Sequence, residues 1–277
     1  MTTRPAPAGV AAQAGRAART GSEHWPGRDS TLVAGRQLRV LRLNPGRLIY
    51  PLVQPVVLLV LFVSVLGNLA LARHGAAGAY RQFLIPGIFI QNAALTAPST
   101  GLGILRDAGT GLADRFRSLP MARSAVLVGR LAGDAVVFAV QAILLLAVAA
   151  LLGFRVRTGL PGMAAIVAVT VSFGIAVAVA SAWLALLIRD PEAAERVLFF
   201  PAIAVTFLSS AFAPVGELAG WIQPIARVSP VSAAADVVRS LAAGGPAISP
   251  LILLACWVTG LVLAPGVLAV RRWQRPA

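Results

Sequence analysis

The sequence predicts an all-α, polytopic membrane protein. It has six transmembrane helices, an N-terminal interfacial helix, and short helices too polar to span before the last run. Three observations lead there. The 277 residues are 58% hydrophobic and only 12% charged, whereas a soluble domain is about half apolar and about a quarter charged. The apolar residues gather into six long runs, and crossing a bilayer core takes about 20 of them, range roughly 17–25. The 24 basic residues are all arginine and recur between the runs, as they do when charge sets topology. That scatter also argues against a nucleic-acid partner, despite the net charge of +14, because no continuous basic face forms.

Residues 1–28 are rich in Ala, Gly, Pro and Arg and contain no apolar core of the signal-peptide kind. They are expected to form a disordered cytoplasmic N-terminus, leaving 29–277 as the transmembrane domain. Residues 29–45 read DSTLVAGRQLRVLRLNP, with Asp29 or Ser30 as a possible helix cap. Leu32, Leu38 and Leu41 alternate there with Arg36, Arg39 and Arg42. The pattern fits an amphipathic helix lying in the membrane interface; a simple extension of the first span is the plainer reading.

The six runs lie near 48–71, 83–105, 131–152, 160–188, 197–212 and 248–270, the fifth rather short. Pro55, Pro86, Pro98 and Pro201 fall within them, and membrane helices tolerate proline. With the N-terminus in the cytoplasm, 18 arginines lie on the inner side and 6 on the outer. The positive-inside bias therefore places both termini in the cytoplasm.

Chemistry is bounded by what is missing. Without lysine the chain has no P-loop lysine for ATP phosphates, no Schiff base and no lysine general base. Cys256 is the single cysteine, so no intrachain disulfide forms. His24 and His74 lie outside the runs, so neither a metal site nor an intramembrane Ser–His enzyme is expected. Proton-coupled transport needs ionisable groups near the bilayer midplane; only Asp134 sits inside a run, four residues after Arg130, and a pair at the span's start is expected.

The charged connection between the second and third runs reads LRDAGTGLADRFRSLPMARSAVLVGR over 105–130. Taken as a helix, Gly111–Pro120 puts Leu112, Phe116 and Leu119 on one apolar stripe. Asp114, Arg115 and Arg117 point elsewhere. Gly109-Thr110 supplies a turn and cap, and Pro120 a stop. Such a helix can dock a soluble partner; alternatively, its arginines only fix topology.

The stretch DAGTGLADRFRSLPMARSAVLVGRLAGD resembles the first cytoplasmic loop of type-2 ABC exporter permeases. Asp107, Gly109, Thr110 and Pro120 stand at the matching positions, and 114–120 is closer to the daunorubicin-resistance branch. Gly111-Leu112-Ala113 departs from the acidic helix start common there. The likeness extends to the interfacial helix, the six spans and SPVSAAADVVRSLAAGG before the last span. It implies a permease of a bacterial cell membrane, paired as a homodimer in that family's manner and energised by a separate ATP-binding subunit that carries ATP and Mg. The loop would be the coupling helix seated in that subunit. No cofactor is expected on this chain.

Between the fifth and sixth runs, PVGELAGWIQPIARVSPVSAAADVVRSLAAGG is too polar to span. Trp221 suits an interface, and Ser232 is expected to cap a helix to about Leu241, ended by Gly244-Gly245. The family implies re-entrant helices here; a surface-lying helix is the alternative. Candidate path residues are the polar groups inside runs: Gln91 and Asn92 first, with Ser99 and Thr100 nearby, and Thr206, Ser209 and Ser210 in the fifth run. Few fixed charges suit a small hydrophobic or amphipathic cargo such as a drug. A glycolipid or polysaccharide exporter and a non-transporting assembly protein are the other readings.

Overall fold

In lipid every backbone polar group must find a partner within the protein, and a helix does this segment by segment. The computed structural model describes residues 46–74, 77–109, 123–188 and 190–273, and side chains over 52–67, 78–106, 128–188 and 190–265. Residues 1–28, the interfacial helix expected at 29–45 and most of the charged loop lie outside the described residues. The described elements are all helical: α1 Gly46–His74, α2 Ala77–Thr96, α3 Pro98–Gly109, α4 Arg123–Leu151, α5 Gly159–Ala185 and α6 Pro191–Phe207. A 3-10 turn at Val215–Glu217 follows, then α7 Gln223–Val228, α8 Pro230–Ala243 and α9 Ile248–Trp273. Among the described residues, 128–151, 159–185 and 248–265 are long and apolar enough to cross a membrane, and 52–67 is a shorter apolar stretch.

Two runs differ from expectation. The second is not one helix but two, because Pro98 has no N–H to offer and disfavours helical geometry at Ala97. The neighbouring groups still find partners: Ala97 N–H donates to Ala93 O (3.1 Å), Thr100 N–H to Ala97 O (3.1 Å) and Ser99 Oγ to Thr96 O (2.7 Å). The fifth run, read at 197–212, begins earlier and ends at Phe207. Asp190 caps it, accepting from Glu192 N–H (3.2 Å) and Ala193 N–H (3.0 Å), with Pro191 at its first position. Residues 208–213 leave the helix through turns.

The helix expected to start at Ser232 is α8, which starts at Pro230 with Ser229 before it. Proline is pre-organised for a first helical position, so the start moves one turn upstream. Ser232 is instead internal, and its Oγ accepts from Ser210 N–H at 2.9 Å. Gly244, with φ 75°, ends the helix as expected.

α5 is the centre of the bundle and packs against α2, α3, α4, α6, α8 and α9. Its buried surface includes Gly162, Gly174, Ala176, Ala178, Ser181, Ala182 and Ala185. Small residues let membrane helices approach backbone to backbone. A Cβ on Gly101 of α3 would stand 2.6 Å from Ser181 O, and one on Gly87 of α2 only 1.9 Å from Ala211 O. Larger side chains fill the space between α2, α4 and α5, among them Leu84, Ile85, Phe89, Leu145 and Phe173.

One end of the bundle is bound by polar contacts. Arg81 Nη1 donates to Leu152 O (3.2 Å) and Gln82 Nε2 to Gly153 O (3.2 Å), tying α2 to the α4–α5 connection. Arg157 N–H donates to Ala242 O (2.8 Å) and Thr158 Oγ1 to Leu241 O (2.7 Å), tying that connection to α8. Trp257 Nε1 donates to Val228 O (2.9 Å), joining α9 to the end of α7.

Replacing Gly87 by alanine should force α2 off the 208–213 turn. We expect Gly87→Ala to destabilise the solubilised protein by about 2 kcal/mol, as overpacking does, read as a lower melting temperature. Gly260→Ala, whose Cβ meets nothing within 4 Å, should leave it unchanged or slightly raised.

Candidate functional site

A groove of about 850 Å3 runs between α1, α2 and α6. Helical spacing explains its walls. Gln54, Pro55 and Leu58 share one face of α1; Ile88, Gln91, Asn92 and Leu95 share one face of α2; Glu192, Glu195, Arg196, Phe199 and Ile203 share one face of α6. Thr96 and Ser99 complete it at the α2–α3 break, and Phe200 adds a further apolar wall. Glu192, Glu195 and Arg196 are exposed at the α6 N-terminus, so the groove is charged at one end and lined along its length by apolar side chains with interspersed amides and hydroxyls.

Of the candidate path residues, Gln91 and Asn92 line the groove. Asn92 Nδ2 donates to Gln141 Oε1 of α4 (3.2 Å). Gln91 is 4% exposed, and its Oε1 is buried with no hydrogen-bond partner among the described residues. A buried carbonyl oxygen left without a partner costs free energy on the order of 1–3 kcal/mol. Gln141 is 1% exposed; an amide inside the apolar run VVFAVQAILLL was the signal for it.

Thr206, Ser209 and Ser210 are buried outside the groove lining. Thr206 Oγ1 donates to Ala202 O (2.7 Å) and Ser209 Oγ to Thr206 O (2.6 Å), both within the turn they belong to. Ser210 meets Arg239 of α8, a residue whose charge had suggested only topology. Arg239 Nε donates to Phe83 O (3.0 Å), Nη1 to Ser210 Oγ (3.2 Å) and Asp236 Oδ1 (2.6 Å), and Nη2 to Ser210 O (2.7 Å) and Ala211 O (3.5 Å). Those are as many contacts as a guanidinium has donors. Its Cζ also sits 3.7 Å above the Phe83 ring. Burial pulls the arginine pKa below its ordinary value, and the Asp236 carboxylate pushes it back up.

Asp134, the acid inside the third run, accepts from Thr100 Oγ1 of α3 (2.8 Å). Arg130 lies close enough for its charge to act on that carboxylate, and its guanidinium covers the Cα of Gly103. α3 is thus held between α4, α5 and α6. It carries Asp107 and Gly109 in its last turn, with side chains outside the described residues. Thr110, Leu112, Asp114, Arg115, Phe116, Arg117, Leu119 and Pro120 lie outside the described residues altogether.

The described residues thus form a helical membrane bundle with a polar-edged groove between three helices. The chain belongs to the ABC-2 type transporter family, whose model matches residues 30–242. It is 32% identical over 216 residues to a protein named probable doxorubicin resistance ABC transporter permease protein DrrC in two strains of Mycobacterium tuberculosis, covering 78% of this chain and 77% of the relative. It is 28% identical over 239 residues to daunorubicin resistance ABC transporter permease protein DrrB1 of Streptomyces coeruleorubidus, covering 86% and 83%. The chain is therefore a multi-pass membrane permease of an ABC transporter, not an enzyme in itself, and ATP is used by a separate subunit.

Lysine cannot reproduce the planar fork of Arg239. We expect Arg239→Lys and Arg239→Met each to destabilise the protein, the latter by about 3 kcal/mol because the Phe83 and Ser210 carbonyls and the Ser210 hydroxyl lose their donor. Thermal unfolding in detergent, with Arg227→Met as an exposed control, is the check.

Proposed function

We propose that the chain is the permease of an exporter that moves a small hydrophobic or amphipathic compound, of the drug or antibiotic kind, out of a bacterial cell. The observation that carries this reading is the apolar groove with an unsatisfied Gln91 amide in its wall. The names of the relatives point to the same class of cargo. Residues 29–277 act as the transmembrane domain, with six spans, both termini in the cytoplasm and residues 1–28 as a cytoplasmic extension. The permease works as a homodimer. In this orientation the charged end of the groove faces the cytoplasm, and cargo enters past Gln91 and Asn92.

The separate ATP-binding subunit docks on the 106–123 loop. Phe116, with Leu112 and Leu119, holds the loop helix to the bundle. Asp114, Arg115 and Arg117 face the partner, while Asp107, Gly109, Thr110 and Pro120 bound the segment. α3 runs directly from the groove to this loop, so motion of the docked subunit reaches the groove through a helix packed on α5 and α6. ATP and Mg bind only in the partner.

Co-purification with the ATP-binding subunit and drug-stimulated ATPase activity in membranes test the reading. Phe116→Ala and Arg117→Glu should each weaken subunit binding by about thirtyfold, the scale of an interface hot spot, with normal insertion. Gln91→Leu should leave binding intact and raise the drug concentration for half-maximal stimulation by about fivefold, one hydrogen bond's worth. Normal coupling in both loop variants would reduce the loop to a topology signal.

A further inference from the structure

One helical turn past the groove lining, the faces of α1 and α6 each carry a phenylalanine. On α1 the lining residues are Gln54, Pro55 and Leu58, and the next position on that face is Phe62. On α6 they run to Phe199 and Ile203, and the next position is Phe207. Phe212, from the turn after α6, bridges both: its ring centroid is 5.1 Å from that of Phe62 and 5.3 Å from that of Phe207. On α2, Ile88 lines the groove while Gly87 beside it is in backbone contact with Ala211. The α1 and α6 walls therefore lead to the Phe212 segment one turn past the groove, at the end away from the charged residues of α6, and the Gly87–Ala211 contact seats that segment beside α2.

We infer that Phe62, Phe207 and Phe212 form a plug that closes this end of the groove, and that Tyr80 and Arg239 position Phe212 in it. The inference rests on the reading of the groove as the cargo path. Phe212 lies outside any helix, so its ring is held by what grips its backbone. Tyr80 Oη donates to Phe212 O at 2.8 Å. Arg239 holds the carbonyls of Ser210 and Ala211, and Ser232 Oγ accepts the Ser210 N–H. Offset and tilted ring contacts are short-ranged, so a small displacement of this turn opens the plug without unwinding α6. Phe62 and Phe212 are half-buried and Phe207 is exposed, as a plug needs if its rings are to swing aside rather than leave a packed core.

Thiol labelling in intact membranes tests this with neither ATP nor cargo. The reporter is Leu58→Cys in a Cys256→Ala background, probed with a charged, membrane-impermeant methanethiosulfonate reagent. The reagent is applied from the face at which Gly245→Cys reacts, Gly245 being exposed in the connection after α8. With Phe212 present, Leu58→Cys should react slowly from that face. Phe212→Ala should speed labelling on the order of tenfold, and Tyr80→Phe, which keeps every ring and removes one hydrogen bond, by a smaller factor. The inference is overturned if Leu58→Cys already reacts as fast as Gly245→Cys, or if neither variant, present at normal membrane level, speeds labelling. A plug that behaves as expected in a chain that couples to no drug would instead sink the transport reading alone.

Discussion

Helices surrounded by lipid gain little from burying apolar side chains against one another, since the lipid tails are equally apolar. What holds this bundle is how closely its backbones approach α5. The Gly, Ala and Ser surface of that helix lets α3 come within reach of the Ser181 carbonyl and lets Gly174 receive the Phe138 ring. Dispersion grows steeply as such gaps close. α5 therefore fixes where α2, α3, α4, α8 and α9 stand, and the groove is the space those fixed positions leave between α1, α2 and α6.

The two ends of the bundle are held by different chemistry. At one end, side-chain and backbone hydrogen bonds join α2, the α4–α5 connection, the turn after α6 and α8 into a single polar mesh centred on Arg239. At the other end, α6 begins with a capped, charged turn, and α3 ends at Gly109. A transporter needs this asymmetry: one part of the wall stiff enough to transmit force, another loose enough to admit a ligand. The unsatisfied Gln91 amide lies between the two, where an apolar cargo with one polar group would find both walls and a partner.

Much of the architecture was legible in the sequence because it is written in local patterns. Apolar runs marked the helices, and Gly244 marked the end of α8. The departures came where a local signal had two meanings. Pro98 was read as a tolerated proline and is in fact a break, since a proline's effect depends on what else satisfies the freed carbonyls. Asp190-Pro191 moved the start of α6 upstream, and Ser229-Pro230 outweighed Ser232 as a helix start. Arg239 had the appearance of a topology charge; its contacts with Phe83 and Ser210 are distant in sequence, and no periodicity encodes them. Gln91 and Asn92 stood out because amides rarely sit in apolar runs, whereas Phe62, Phe207 and Phe212 are unremarkable residues until the turn after α6 brings them together.

The break at Ala97 makes α2 and α3 two rods with a joint. A continuous helix resists bending because its ladder must stretch, but a joint at a proline has one ladder bond already absent. Any change of angle between α3, packed on α5 and α6, and α2, packed on α1 and α8, would be taken up at this point. A push at Gly109 would then arrive at the groove floor, beside Thr96 and Ser99, as a change of angle rather than of length.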